Sequence, residues 1–197
     1  MVDLATITAD NTNRVAARLT GYPFLVRNAT DAAINSNTRF EDFDANDGFF
    51  IGSSSQVNTS SKAYYALMWT RAPNFCDVVA YTGDGNFPRT NDVIHNLGVA
   101  PEMIWIKNRD QADNWSVYHS GVSADPETDY LHLNDTVQAQ DSAGYWYDTA
   151  PTATSFKLGN QHTVNANNEN YIAYLFATLA GISKVGSYTG NGSTQTI

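Results

Sequence analysis

Short apolar runs separated by polar turns dominate the hydrophobic pattern of this chain. The clearest are Ala63–Trp69, Met103–Lys107 and Tyr171–Ala177. Runs of this length, rich in β-branched and aromatic residues, are typical of strands. Met103–Lys107 is expected to form a hairpin with Trp115–His119 across the polar loop between them. Ala63–Trp69 is expected to be a buried strand, although periodicity alone leaves a helix open.

Further strands are expected wherever a short apolar run ends in a polar turn. These runs are Phe24–Arg27, Gly48–Gly52, Asp77–Tyr81, Val93–His95, Tyr130–Leu133 and Ser155–Leu158. Short strands in close succession, without a long amphipathic helix, predict an all-β chain built as an antiparallel β-sandwich of the jelly-roll or lectin-like kind. The segment Arg14–Leu19 fits no such pattern and leaves a short helix or an arm open.

The chain also repeats itself at a distance of 107 residues. Val78–Gly85 reads VVAYTGDG and Val185–Gly192 reads VGSYTGNG. Between 57–85 and 164–192 nine positions are identical, namely 57, 58, 64, 66, 78, 81, 82, 83 and 85. Random pairing at average residue usage would give about two. A period of this length indicates a duplicated module of domain size, since solenoid repeats span roughly 20–50 residues.

The repeat predicts where the modules begin and end. We expect an N-terminal arm over 1–21, a partial β module over 22–77 and a complete β-sandwich module over 78–184. The partial module corresponds to the second half of the complete one, with Phe24 aligned to Tyr130 at an offset of 106. Residues 185–197 then form the opening strand of a further repeat, or the closing strand of the first module. We favour the further repeat, which makes the chain a slice of a longer array.

Composition excludes several classes of function. The formal net charge is −9, and the chain has eleven Lys and Arg in total, which argues against nucleic-acid binding. The single cysteine, Cys76, allows neither an intrachain disulfide nor a cysteine metal cluster, and its apolar neighbours favour a packing role. No apolar run reaches the ~18 residues of a membrane span, and the N-terminus lacks the features of a secretory signal.

Two polar motifs invite a ligand, and both are better explained as turns. The acidic cluster Glu41–Gly48 suggests calcium, but its glycine comes too late for an EF-hand and no glutamate closes the loop. An Asx turn is favoured there, and we expect no metal site. Thr82–Gly85 lacks the Lys-Ser/Thr pair of a phosphate loop, whereas Asp-Gly is typical of hairpin turns.

No set of residues has the spacing of a catalytic site. The four histidines, His95, His119, His132 and His162, lack zinc-site spacing, and a polar sheet face explains them better. No Gly-x-Ser-x-Gly elbow is present, and no spacing selects a pair of glycosidase carboxylates. We therefore expect neither enzymatic activity nor a cofactor.

The tryptophans offer the remaining candidate chemistry, because an exposed indole can stack on the apolar face of a sugar ring. Trp69 and Trp105 lie within expected strands and are assigned to packing. Trp115 and Trp146 lie next to loops and are the candidate ligand-binding residues, with core or interface packing as the alternative.

An ordered series of motifs resembles a repeated domain of unknown function in tailed-phage virion proteins. The series covers about residues 22–197 and consists of Tyr81–Gly85, Ile94–Lys107, Trp115–His119, Leu131–Thr136, Asp148–Thr152, Phe156–Gly159, Val164–Asn167 and Tyr171–Ala177. The segment Ala72–Tyr81 is similar to the junction between two such repeats.

The resemblance implies a non-enzymatic structural or receptor-binding part of the virion, such as a tail fibre, head fibre or capsid-decorating protein. The expected partners are other virion proteins and further copies of this chain. The alternative is a carbohydrate-binding module that recognises a host surface glycan through Trp115 or Trp146. No catalytic residues follow from the resemblance.

Overall fold

Strands account for most of the regular structure in the computed structural model, which describes residues 4–9, 12–43 and 48–197. The first six strands are β1 (Leu4–Ala9), β2 (Thr12–Ala17), β3 (Phe24–Val26), β4 (Phe40–Asp42), β5 (Phe50–Ile51) and β6 (Tyr65–Trp69). The later strands are β7 (Cys76–Thr82), β8 (Val93–Ile94), β9 (Met103–Asn108), β10 (Ser116–His119), β11 (Asp129–His132), β12 (Gln140–Asp141), β13 (Ser155–Phe156) and β14 (Asn170–Phe176). Two single-turn helices, α1 (Ala143–Trp146) and α2 (His162–Asn165), follow β12 and β13 respectively.

Two antiparallel sheets form the framework. The first has the order β3-β2-β1-β6 and the second has the order β12-β11-β10-β9-β14-β7. The small pairs β4–β5 and β8–β13 lie outside these sheets. The all-β antiparallel prediction is confirmed, and so is the hairpin of β9 with β10, in which Ile106 lies opposite Ser116.

The two sheets pack face to face around one shared apolar cluster. From the first sheet it takes Leu4, Val15, Ala17 and Leu25, and from the second Val78, Trp115, Ile172 and Tyr174. The indole Nε1 of Trp115 donates to the Val26 carbonyl at 3.1 Å, which ties the sheets together across this cluster. Each sheet covers its other face with its own loops and short elements, in two separate clusters. The result is a sandwich-like arrangement with an apolar layer on both sides of each sheet.

The N-terminal segment differs from the expected short helix or arm. Thr12–Ala17 is β2, and it pairs with β1 in a hairpin whose register places Thr6 opposite Val15. Alternation explains the strand, because Val15 and Ala17 face the shared cluster while Ala16 faces the outer layer of the first sheet. The segment Arg14–Leu19 is therefore a strand as far as Ala17, and a single 3-10 turn, Arg18–Thr20, follows it.

Two local expectations need correction or fall outside the structure. Thr82–Gly85 does not connect a hairpin, because β7 pairs with β14 and β8 pairs with β13. Asp84 instead forms an Asx turn in which its Oδ1 accepts from the Asn86 amide at 3.0 Å. Half of the acidic cluster Glu41–Gly48 lies outside the described residues, which stop at Phe43 and resume at Gly48.

β6 is a strand, as expected, but it is not buried. Its solvent-exposed fractions reach 78% at Tyr65, 58% at Leu67 and 50% at Met68. The reason is its place in the sheet, since β6 pairs only with β1 among the described residues. An apolar run predicts burial, but it cannot reveal that one neighbour strand is missing.

Candidate functional site

A group of polar side chains borders a groove on the second sheet, with a volume of about 330 Å³. The loop between β9 and β10 supplies Asp113 and Asn114, β11 supplies His132, and α2 supplies His162. These elements meet because β9, β10 and β11 are adjacent strands, and because the chain returns through α2 just before it enters β14.

Asp113 and His162 form the closest ionic contact of the groove. The His162 Nε2 lies 2.9 Å from the Asp113 Oδ1, and the histidine is exposed while the carboxylate is almost buried. The other Asp113 oxygen accepts from the Asn108 side-chain amide at 3.0 Å. The same amide contacts the Glu169 carboxylate and the Tyr171 hydroxyl. Asn108, at the end of β9, therefore links the loop that follows it to the start of β14.

Lys107 is fully buried beside this network. Its ammonium donates to the backbone carbonyls of Asn108 at 2.6 Å and Gln111 at 3.1 Å. Burial lowers the pKa of Lys107 to about 8, although the nearby carboxylates of Asp113 and Asp31 act in the opposite direction. The side chain thus holds the loop after β9 in place, and its charge is costly to keep away from water.

His132 occupies the other wall of the groove. Its ring nitrogens lie 3.1 Å from the Asn114 side-chain nitrogen and 3.3 Å from the Tyr145 hydroxyl. Burial lowers the pKa of His132, and Asp135, 3.9 Å away, opposes that shift. His132 is paired opposite Ser116, so it does not meet His119, which lies at the far end of β10.

The polar groups of the groove bind mainly to one another and to the backbone of the loops they support. The Tyr171 hydroxyl accepts from the Ala166 amide at 2.8 Å and donates to the His162 carbonyl at 2.5 Å. The Asp113 carboxylate contacts both His162 and Asn108, and these contacts hold the loop after β9 against α2. The arrangement therefore has the chemistry of a hydrogen-bonded clasp between β9, α2 and β14.

Sequence analysis did not identify three members of this network, of which Lys107 and Asn108 are buried and Glu169 is half-buried. Lys107, Asn108 and Glu169 were passed over because none belongs to a motif with recognisable spacing. One signal was available, since Lys107 and Asn108 directly continue an apolar strand into a polar loop. The remaining histidines serve local structure: the His95 Nδ1 accepts from the Leu97 amide at 3.3 Å, and the His119 Nδ1 from the Gly121 amide at 3.0 Å.

The prediction that Trp115 and Trp146 bind a ligand is corrected by their burial. Both are fully enclosed in the core. The indole Nε1 of Trp146 donates to the Asp129 carbonyl at 2.9 Å, much as that of Trp115 does to Val26. An indole can stack on a sugar only if one face meets solvent. Core packing, the alternative left open by the sequence, accounts for both rings.

Cys76 and the acidic residues give no further site within the described parts of the chain. The Cys76 thiol is buried and contacts the Thr70 carbonyl at 3.3 Å. Among the residues that the structure describes, no group of three histidines, cysteines or carboxylates is placed to hold a metal ion. Within the same residues, no helix is long and apolar enough to span a bilayer.

Comparison with known proteins gives one match. Residues 20–197 match the family model described as a domain of unknown function, DUF7483. Neither the curated proteins nor the solved structures contain a match. Because the matched segment includes both sheets except for the first hairpin, and far exceeds half of the chain, the protein belongs to the DUF7483 family.

Proposed function

We propose that this protein is a non-enzymatic structural component of a tailed-phage virion, of the fibre, tail or capsid-decorating type, and that it acts by assembling with other protein chains. The likeness of its ordered motifs to repeated domains of phage virion proteins supplies the virion part of the proposal. The assembly part rests on one structural observation, the exposed apolar edge strand β6.

β6 lacks the features that usually keep an edge strand from pairing with another chain. Native edges are usually protected by charge, proline, bulges or a covering loop. The strand carries YALMW, without a charged residue, and Tyr65, Leu67 and Met68 are largely exposed. An exposed apolar edge of this kind is a ready site for another strand.

The proposal includes a module that occurs twice in the chain. Equivalent hydrogen bonds in the two parts of the chain support this repetition. The Gly52 amide donates to the Arg39 carbonyl at 2.9 Å, as the Gly159 amide does to Tyr145. The Asn58 side chain donates to the Gly52 carbonyl at 3.1 Å, and that of Asn165 donates to Gly159 at 2.9 Å.

The tyrosine clasp described above also has a counterpart. The Tyr64 hydroxyl accepts from the Thr59 amide and donates to the Ser55 carbonyl, each at 3.0 Å. Its partners lie 107 residues before those of Tyr171, since 166 − 59 and 162 − 55 are both 107. We infer that residues before and after β7 carry two versions of one module, with the first version lacking the strand that β7 contributes to the second.

The proposal is tested on the particles themselves. Phage particles produced from the genome that encodes this chain would be purified on a density gradient, and the chain quantified by mass spectrometry against the major capsid protein. Several copies per particle are expected. A chain that is abundant in the lysate but absent from gradient-purified particles would overturn the virion assignment.

The host-glycan alternative depends on two tryptophans. Trp115 and Trp146 were the residues that suggested it, and both rings are enclosed in the core.

A further inference from the structure

The four strands of the first sheet correspond in order to four strands of the second, which has one additional strand at each edge, β12 beyond β11 and β7 beside β14. The first runs β3-β2-β1-β6, and the second contains β11-β10-β9-β14 in the matching places. In the second sheet β7 covers the free side of β14, with seven paired positions from Asn170–Thr82 to Phe176–Cys76. Among the described residues, β6 has no strand in that position.

The equivalent positions of β6 and β14 differ in their burial. Tyr65, Leu67 and Met68 correspond to Ile172, Tyr174 and Leu175 at the 107-residue offset. All three residues of β14 are buried, whereas all three residues of β6 are exposed. The sequence of β6 is therefore apolar enough to be a central strand, although its position in this chain is an edge.

The chain carries a second copy of the strand that this edge lacks. Val185–Thr189 is identical to Val78–Thr82 at three of five positions. The turns before the two segments differ in sequence but close with equivalent bridges, Ala72–Cys76 and Leu179–Ser183. The Ser183 amide donates to the Leu179 carbonyl at 2.9 Å, as the Cys76 amide donates to Ala72 at 3.2 Å. In the structure this copy belongs to no strand, and Tyr188 is 70% exposed.

We propose that residues 183–189 of a second copy of this chain pair with β6 as an antiparallel strand. The register follows from that of β14 with β7, after subtracting 107 from one number and adding 107 to the other. Ile172–Ala80 becomes Tyr65–Ser187, and Tyr171–Tyr81 becomes Tyr64–Tyr188. This is strand addition to an open sheet edge, in which main-chain hydrogen bonds bind and alternate side chains select.

Tyr188 would gain the contacts that its counterpart already makes. The Tyr81 ring stacks on Tyr171 with centroids 5.2 Å apart, and its hydroxyl donates to the Val164 carbonyl at 2.8 Å. The equivalent partners for Tyr188 are Tyr64 and the carbonyl of Val57. The incoming tyrosine would therefore dock beside the clasp of the first module.

Gly190 gives the most specific sign of docking. Its counterpart Gly83 must be glycine, because an added Cβ would lie 2.1 Å from the Ala166 carbonyl oxygen. A Cβ at Gly190 would meet nothing within 4 Å in this structure. Glycine at 190 is thus unnecessary for packing in the free chain, but it is needed once the segment lies against Thr59, the counterpart of Ala166.

A second copy is the occupant because each chain holds its own segment elsewhere. The Val185 amide donates to the Thr178 hydroxyl at 3.1 Å, and Ser187 lies beside Gly121, just beyond the end of β10. Each copy has one open sheet edge, at β6, and one pairing segment, residues 183–189. Two copies that exchange these segments reciprocally form a closed dimer, whereas one-way exchange from copy to copy forms a filament. The inference does not rest on the virion assignment, since it needs only copies of this protein.

Cross-linking between two variants, each with one introduced cysteine, tests the pairing. Tyr65→Cys and Ser187→Cys are purified separately, mixed and oxidised, with the buried native Cys76 present in both. Directly paired strand positions lie about 4.5–5.5 Å apart, within the range that a disulfide spans. A linked species of two chains, with the 65–187 bond identified by mass spectrometry, is expected only in the mixture.

Two comparisons make the outcome decisive. Mixing Tyr65→Cys with Tyr188→Cys, whose side chain faces the other side of the strand, is expected to give much less linked product. If the 65–187 link does not form in the mixture of Tyr65→Cys with Ser187→Cys, docking by a second copy is wrong. Failure here leaves the particle measurement unaffected, so the two proposals fail separately.

A matched pair of glycine variants supplies an independent readout by sedimentation. Gly190→Ala is expected to weaken self-association at least tenfold, because a methyl group would overlap the docked backbone, while leaving the monomer as stable as before. Gly186→Val, which installs the residue found at the equivalent Val79, is expected to preserve or strengthen association. Equal self-association in both variants would also overturn the proposed register.

Discussion

Removal of one oxygen atom at Tyr171 is expected to weaken the clasp between β9, α2 and β14. Tyr171→Phe keeps the buried ring but deletes a hydroxyl that accepts from the Ala166 amide and donates to the His162 carbonyl. Burial raises the pKa of Tyr171 well above its usual value, so the hydroxyl remains a donor at any ordinary pH. The substitution therefore removes these two hydrogen bonds and the longer contact from the Asn108 side-chain amide, without opening a cavity.

The expected loss of stability follows from the Ala166 amide and the His162 carbonyl, which both lose their hydrogen-bond partner. A buried donor or acceptor without its partner costs about 1–3 kcal/mol, so we expect the free energy of unfolding to fall by that amount. For a chain of this size each kcal/mol lowers Tm by roughly 2–4 °C. Urea denaturation followed by circular dichroism measures the first quantity, and calorimetry measures the second.

Two further tyrosines act as controls for this prediction. Tyr64→Phe removes the corresponding hydroxyl of the first module, where the ring is only partly buried, and a smaller loss of about 0.5–1.5 kcal/mol is expected. Tyr65→Phe changes a largely exposed ring and is expected to stay within about 0.5 kcal/mol of the parent. If Tyr171→Phe were as stable as Tyr65→Phe, the clasp would not stabilise the module as described.

Three other predictions follow from the core. Lys107 is expected to titrate near pH 8 by NMR, with the signal assigned by comparison with Lys107→Arg. In the unfolded chain the same group keeps its proton to about pH 10.5. The cost of burying the charge therefore lowers the free energy of unfolding fully below pH 8, and stability rises as this cost is relieved between pH 8 and about 10.5. A midpoint near 10.5 would contradict this. Gly159→Ala is expected to cost about 1–3 kcal/mol in chemical denaturation, since its Cβ would lie 2.5 Å from the Ala143 carbonyl oxygen; an unchanged midpoint would contradict that contact. Trp115→Phe removes the indole hydrogen bond to the Val26 carbonyl, which also accepts from the Ala29 amide at 3.3 Å, and removes part of the buried ring system. It is expected to cost about 1–3 kcal/mol without altering glycan-array signals, and a lost glycan signal would restore the ligand-binding interpretation.

The sequence predicted where the strands lie along the chain better than it predicted which strands lie next to one another. Apolar runs such as Met103–Lys107 report which residues avoid water, and that information locates strands and the hairpin that follows. Burial of β6 was expected for the same reason, but exposure depends on whether another strand lies beside it. The pattern of one strand cannot contain that fact.

The polar network could not be foreseen for a related reason. Asn108 and Glu169 are far apart in sequence and meet only because β9 and β14 are paired. The tryptophans were misjudged because Trp115 and Trp146 lie next to loops, yet those loops fold over the sheet faces and enclose them. The 107-residue echo was the most informative sequence feature, since it identifies both the strand that β6 lacks and the segment that resembles it.

Hydrogen–deuterium exchange at several protein concentrations tests most directly whether copies of this chain complete each other's sheets. As the concentration rises, alternate amides of β6 and amides within 183–189 are expected to exchange more slowly together, while amides of β14 remain equally protected throughout. Gly190→Ala is expected to abolish the dependence on concentration. Exchange in β6 that is equally fast at every concentration would contradict strand pairing between copies.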